Sequence, residues 1–143
     1  MALLSAQDEQ ALRQHLNAID RSVTLLLFTQ TIGGSESGQI AKQILDEIAR
    51  LNDKVKVEER NFILDLEDRA KYHLDKSPAI VILSEGQDTR MRMFGAPNGY
   101  EFVGLIEAIL LAGTGRIGLA EETLKLIASV DQPMNIQVFS TPT

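Results

Sequence analysis

The chain contains no cysteine. It can form no disulfide, hold no metal through thiolates and use no cysteine nucleophile. Its two histidines, His15 and His73, are too few for a multi-histidine metal site. Basic residues are in deficit, with 14 Lys and Arg against 20 Asp and Glu and a net charge of −6. A nucleic-acid binder needs a basic face, so that class is disfavoured. No apolar run approaches a membrane span. The opening residues, Met1 to Ser5, lack a basic region and a long apolar stretch, so no signal peptide is expected and the cytoplasm is the default compartment. No motif asks for a cofactor.

What remains is ordinary globular material. The 143 residues are 44% hydrophobic and 24% charged, enough to bury a core without disulfides or metal. Ser5 with Asp8 three residues on reads as a capping box before a helix striped with Leu12, Leu16 and Ile19. Residues 23–28, VTLLLF, are apolar throughout and predict a strand buried on both faces. A loop from Thr31 to Gly38 leads to a strong helix with Ile40, Ile44, Leu45, Ile48 and Leu51 on one face. Residues 55–59 alternate and predict a half-exposed strand. Residues 65–75 read as a short polar helix, stopped by Ser77-Pro78. Residues 79–83, AIVIL, predict a second buried strand. A polar turn from Ser84 to Thr89 precedes the alternating run 90–94. Phe102, Val103, Ile106, Ile109 and Leu110 mark another helix. Leu119, Thr123, Leu124, Ile127 and Val130 mark one more, before a strand-like run from Asn135 to Phe139.

The fold class is therefore α/β. The two all-apolar strands belong at the centre and the alternating ones at the edges. A helical crossover makes the first two strands parallel, and a short turn makes the last two antiparallel. The result is a four-stranded mixed sheet of order 2-1-3-4, flanked by helices.

The sequence also repeats itself at an offset of 111 residues. Leu16, Ile19 and Asp20 match Ile127, Val130 and Asp131. Val23, Leu25, Leu27, Phe28 and Thr29 match Met134, Ile136, Val138, Phe139 and Ser140. The expectation is one unit over 1–115 and the start of a second, truncated unit over 116–143. The strand 135–140 should then fray, dock on the first sheet, or pair with another copy in a homodimer.

With these elements in place, the chain resembles the thioredoxin fold. Phe28-Thr29, a loop and a helix start stand where that fold keeps its C-x-x-C. Ser77-Pro78-Ala79 before an apolar strand resembles its cis-proline loop. Phe94 to Phe102, FGAPNGYEF, is similar to the F-G-x-P-x-G-x-E-F segment of two-unit relatives. Those are the glutaredoxin-like protein disulfide oxidoreductases and the N-terminal domain of the alkyl hydroperoxide reductase flavoprotein. In both, two thioredoxin-fold units share one continuous sheet. The ending Val138 to Thr143 resembles the strand before the second unit's C-P-x-C.

The resemblance implies a vestigial active-site loop at Gly34, Ser35, Glu36 and Ser37, with Gly34 and Ser37 at the sulfur positions. A serine hydroxyl is far less acidic than a thiol, and no histidine is placed as its base. The unit is expected to be redox-silent, with no catalytic residue. Its role in the parent protein's redox homeostasis would be structural or partner-positioning. The expected partners are the second unit and protein or peptide substrates, which a groove at Ser77 and Pro78 would take by strand addition. A non-catalytic peptide-binding module is the alternative. A cysteine-free enzyme, or an anion or glutathione binder using Gly33 to Gly38, is the second alternative. Ser35 or Ser37 is expected to cap the following helix.

Other features carry structural readings. Gly113 to Gly118 satisfies G-x-G-x-x-G, but the residues before it are spaced helically, so it reads as a connection between units. His15 and His73 read as solvated, and Tyr72 and Tyr100 have no convergent acid or base. The acidic residues read as solvated helix faces.

Overall fold

The computed structural model describes residues 3–30 and 32–141. Its elements are α1 (Ala6–Leu16), β1 (Val23–Thr29), α2 (Glu36–Ala49), β2 (Val55–Asn61), α3 (Leu66–Lys71), β3 (Ala79–Ser84), β4 (Gln87–Phe94), α4 (Glu101–Thr114) and α5 (Glu121–Ala128). The sheet has four strands in the order β2-β1-β3-β4. β1 runs parallel to β2, and β3 runs antiparallel to both β1 and β4. Apolar patterning predicts this arrangement. The two strands without polar faces can be satisfied only at the centre.

The sheet has two covered faces. Leu25, Leu27, Ile80 and Ile82 pack with Leu12 and Leu16 of α1, Ile44, Leu45 and Ile48 of α2, and Leu105, Ile106 and Ile109 of α4. Leu26, Phe28, Val81 and Leu83 face the other way, against Phe62, Tyr72 and Leu74. Phe28 meets Tyr72 edge-on, with ring centroids 6.2 Å apart. Tyr72 is therefore a core residue. Arg92 of β4 closes this second face: its Nε donates to the Tyr72 carbonyl, and its guanidinium grips both oxygens of Asp88 at 2.8 Å.

Two boundaries differ from the sequence reading. β4 starts at Gln87, not at 90, because the reversal takes only Glu85 and Gly86, both at positive φ. That pair of left-handed residues makes a tight hairpin turn. A bulge opposite Val81 to Leu83, with Arg90 at φ 64°, then breaks the alternation that would have revealed residues 87–89. α3 is shorter than 65–75, since His73 turns left-handed just beyond it.

Glu47 overturns the expectation that acidic side chains lie on solvated faces. It is 4% exposed, on the inner side of α2. Its two carboxylate oxygens accept the backbone N–H groups of Leu3 (2.7 Å) and Leu4 (3.0 Å), fixing the segment that enters α1. α1 itself begins with the capping box read from the sequence, Ser5 with Asp8. Burial pushes the Glu47 carboxyl up, but the N–H groups of Leu3 and Leu4, the Gln43 amide and the charge of Arg50 outweigh it, and the net shift is downward. A carboxyl lowered in the folded state stabilises fully above its unfolded pKa, and that contribution is lost as pH falls through the folded value. Glu47→Gln should therefore lower stability at neutral pH by about 1–2 kcal/mol. Urea unfolding at decreasing pH should show the gap to the parent chain closing in acid. A gap independent of pH would mean that the charge on Glu47 does not contribute.

Beyond α4 the chain changes character. α4 ends at Gly115 in the left-handed conformation. Every described residue from 115 to 141 is exposed, including Leu126, Ile127, Met134, Ile136, Val138 and Phe139. The expected strand over 135–140 is not formed; these residues are irregular and pair with no strand. A strand needs a neighbour for its N–H and C=O groups, and none lies beside this run. Ser140 does touch α4, its Oγ donating to Glu101 Oε1 at 2.5 Å. Gly113 and Thr114 of the G-x-G-x-x-G run are helical, so the run does not follow a strand as a dinucleotide-binding loop would. Among the described residues, no helix is long and apolar enough to cross a membrane.

Candidate functional site

The ends of β1, β2 and β4 and the start of β3 meet at one rim of the sheet. The registers Thr29↔Asn61, Phe28↔Ala79 and Ala79↔Phe94 place them side by side. The loops after β1, before β3 and after β4 therefore converge. Of the sequence-predicted residues, Gly34, Ser35 and Ser77 line a cleft at this rim, and Glu36, Ser37 and Pro78 do not. This cleft, of about 350 Å³, is lined by Thr29, Gln30, Gly33 to Ser35, Gly38, Gln39, Lys42, Glu59 and Ser77.

Gly34 and Ser35 lie at the mouth of α2, with Glu36 and Ser37 in its first turn. Ser35 occupies the N-cap position by its backbone angles, but its side chain makes no capping bond; Ser37 lies inside the helix. The expected serine cap is therefore backbone geometry only, with Gly38 N–H donating to the Ser35 carbonyl at 3.0 Å. Gly34 is held against the chain behind it. A Cβ added there would overlap the Gln30 carbonyl oxygen.

Across the cleft, the Ser77–Pro78 peptide bond is cis. Pro78 is buried, and its carbonyl accepts the Gly95 N–H at 2.9 Å. This bond joins the proline loop to the 94–102 segment. Ser77 Oγ reaches the Phe28 carbonyl at 3.4 Å.

The lining includes a charged cluster that the sequence reading missed. Lys42 Nζ contacts Glu59 at 2.7 Å and Asp46 at 3.0 Å. Hydrogen bonds that Lys42 donates to Glu59 and then to Asp46 raise its pKa, against a smaller opposing effect of burial. The lysine is thus a fixed cation whose charge is matched locally. Lys42 is four residues after Gly38 on α2, so helical spacing was the available signal. Glu59 comes from β2, and only the parallel pairing brings it in.

The chemistry available is limited. The cleft offers hydroxyls, amides, a paired lysine and backbone N–H groups, with no thiol. His15 is exposed on α1, and His73 lines a separate hollow with Leu66, Arg69 and Asp75. Neither can act on Ser35 or Ser37 as a base. Among the described residues, no cluster of His, Asp and Glu could hold a metal ion.

No protein-family profile matches the sequence. Individual proteins do. The alkyl hydroperoxide reductase AhpF of Escherichia coli is 26% identical over 137 residues, covering 96% of this chain and 24% of that protein. The crystal structure of the N-terminal (NTD_N/C) domain of AhpF from Enterococcus faecalis matches with a TM-score of 0.80 and 25% identity, over 87% of this chain and 59% of that one. The protein disulfide oxidoreductase of Aeropyrum pernix shares the fold, with a TM-score of 0.75 at 19% identity, over 87% of this chain and 54% of that one. The chain spans about a quarter of the length of the curated relatives it matches. Sequence and fold together identify it as a thioredoxin-fold relative of the N-terminal domain of the alkyl hydroperoxide reductase AhpF.

Proposed function

We propose that this chain is the redox-silent N-terminal unit of a longer thiol–disulfide oxidoreductase, where it supports and positions a second thioredoxin-fold unit. The carrying observation is the loop at the cleft. By the resemblance Gly34 and Ser37 take the two sulfur positions, and the backbone at Gly34 leaves no room for a Cβ. Serine cannot form a disulfide, and a helix N-terminus that activates a cysteine does not make a serine nucleophilic by itself. The exposed tail supports the same reading. Its apolar residues repeat those of α1 and β1, which are buried in the first unit, and Ser140 tethers it to Glu101.

The 143-residue chain should show no insulin-disulfide reduction, and a chain continued through the next unit should show it. Reduction by the short chain alone would sink the proposal. A second reading, a peptide-binding module, is favoured by the cleft that Ser77 lines. Under it, Ser77→Pro should abolish peptide binding, because it removes the N–H that a docking strand would pair with.

A further inference from the structure

Of the asparagines in the chain, at 17, 52, 61, 98 and 135, only Asn98 is followed by glycine. The Asn98-Gly99 pair lies between the end of β4 and the start of α4, and both residues are exposed. Gly99 has a left-handed φ of 58°, a conformation that glycine adopts without steric cost. The Asn98 carbonyl accepts the Glu101 N–H at 3.2 Å, and the Asn98 N–H donates to the Ala96 carbonyl at 2.9 Å. Two groups in this turn make no hydrogen bond among the described residues: the Asn98 side-chain amide and the Gly99 N–H.

The other asparagines are held or crowded. Asn17 is the C-cap of α1, and the Ala18 N–H after it donates to the His15 carbonyl. The Asn52 side chain donates to the Leu16 carbonyl and accepts the Lys54 N–H. The Asn61 side chain accepts the Ile63 and Leu64 N–H groups, and the Phe62 N–H is bonded to the Thr29 carbonyl. Asn135 is exposed, but the β-branched side chain of Ile136 crowds the next nitrogen. Asparagine is labile where the following backbone nitrogen can reach its amide carbon, and at Gly99 no side chain stands in the way.

We infer that Asn98 is a site of spontaneous deamidation, a modification that changes both charge and chain path at the start of α4. The Gly99 nitrogen gives up its proton to hydroxide and bonds to Asn98 Cγ. The Cγ–Nδ2 bond breaks, and Nδ2 leaves as ammonia with a proton taken from water, which restores the hydroxide. Water then opens the cyclic imide. Cleavage between Cγ and the Gly99 nitrogen gives aspartate. Cleavage between the main-chain carbonyl carbon and that nitrogen gives isoaspartate, in which the chain runs through Cγ. Either product adds a negative charge to a chain whose net charge is already −6. Isoaspartate also draws the carbonyl of residue 98 off the Glu101 N–H and opens the turn. The change falls close to the proline loop, because Gly95 of the same segment bonds the Pro78 carbonyl.

Peptide mapping by mass spectrometry tests this. The 143-residue chain is held in mildly alkaline buffer and then digested with trypsin. The peptide of residues 93–116 contains no other side-chain amide, so the mass gain of an amide turned acid reports Asn98 alone. Asn98 should convert severalfold faster than each of the other asparagines, and faster still as pH rises, since the attacking nitrogen must lose its proton. Asn98→Gln should suppress the conversion, because the longer side chain closes a larger ring more slowly. Isoaspartate should be detected by methyl transfer from an isoaspartate methyltransferase, and amide exchange at Glu101 should be severalfold faster in that form. The folded chain should convert within severalfold of the free peptide of residues 93–102. Conversion of that peptide while Asn98 persists in the folded chain would overturn the inference, because the turn would then hold the amide carbon away from the nitrogen. Conversion at one common rate for every asparagine would overturn it equally.

Discussion

Installing cysteines at the two positions that the thioredoxin-fold resemblance equates with the sulfurs, Gly34→Cys with Ser37→Cys, should fail to produce a working C-x-x-C loop. The double variant should reduce insulin no better than the parent chain. It should also be less stable by about 1–3 kcal/mol, the range in which overpacking falls. The reason lies in the backbone. A Cβ at position 34 would overlap the Gln30 carbonyl oxygen and lie 3.1 Å from its carbon, whereas a carbon meets a carbonyl oxygen at roughly 3.3–3.6 Å. The obstacle is main chain, not the tip of a flexible side chain, so the turn itself has to open. Gly33, at φ 72° beside it, belongs to the same tight turn.

Single variants separate the two sulfur positions. Gly34→Ala alone should carry most of the stability loss, because the clash belongs to the Cβ and not to the sulfur. Ser37→Cys alone should be near neutral, since Ser37 already carries a Cβ inside the first turn of α2. Gly104→Ala, in open space on α4, should stabilise by up to about 1 kcal/mol through helix propensity. It controls for the general effect of removing a glycine. A Gly34→Ala chain as stable as the parent, with a double variant that cycles between dithiol and disulfide, would mean that the backbone at Gly34 is no obstacle to a dithiol loop.

Much of the fold was legible because patterning and topology agree here. VTLLLF and AIVIL have no polar face, so no edge position can satisfy them, and the sheet order follows. Ser5 and Asp8 announced α1 because a capping box is a local device that needs no tertiary partner. Three features depend on the third dimension and were misread or missed. Glu47 lies three residues after Ile44 and four before Leu51, on the apolar stripe of α2, but its partners are backbone N–H groups more than forty residues away. The Lys42–Glu59 contact on the cleft wall needs β1 and β2 in parallel register before it can form. The run 135–140 has the composition of a strand, yet composition cannot supply the neighbour that a strand requires. At the candidate site, the sequence pointed to 34–37 and 77–78, of which Gly34, Ser35 and Ser77 line the cleft; the closeness of Gly34 to Gln30 could not be read from it. That contact turns an absence of sulfur into a loop shaped without it.

The second large effect is expected away from the cleft, at Gly113. Near the end of α4 this residue packs against Ile19, and a Cβ there would lie 2.7 Å from both Cγ1 and Cγ2 of Ile19 and 3.1 Å from its Cδ1. Ile19 is 4% exposed, and its β-branched side chain has little rotamer freedom with which to withdraw. The Gly113 carbonyl also accepts the N–H groups of Asp20 and Arg21, both at 3.0 Å, so the backbone cannot retreat without losing both bonds. Helix propensity favours alanine over glycine by about 1 kcal/mol, but here the overlap should decide the sign. Gly113→Ala should destabilise by about 1–3 kcal/mol and Gly113→Val by more, read as a lower midpoint in urea with an unchanged slope. Combining Gly113→Ala with Ile19→Ala should recover part of the loss, because the second change removes the atoms with which the first collides. Strict additivity of the two would place the cost in the backbone of α4 instead of in the contact. Gly115, two residues on, offers an internal comparison. The three atoms nearest its Cβ would be those of the Arg21 guanidinium, the far end of a flexible side chain, and its left-handed φ of 64° sets the cost. Gly115→Ala should therefore lose about 1–2 kcal/mol, with no rescue from Ile19→Ala.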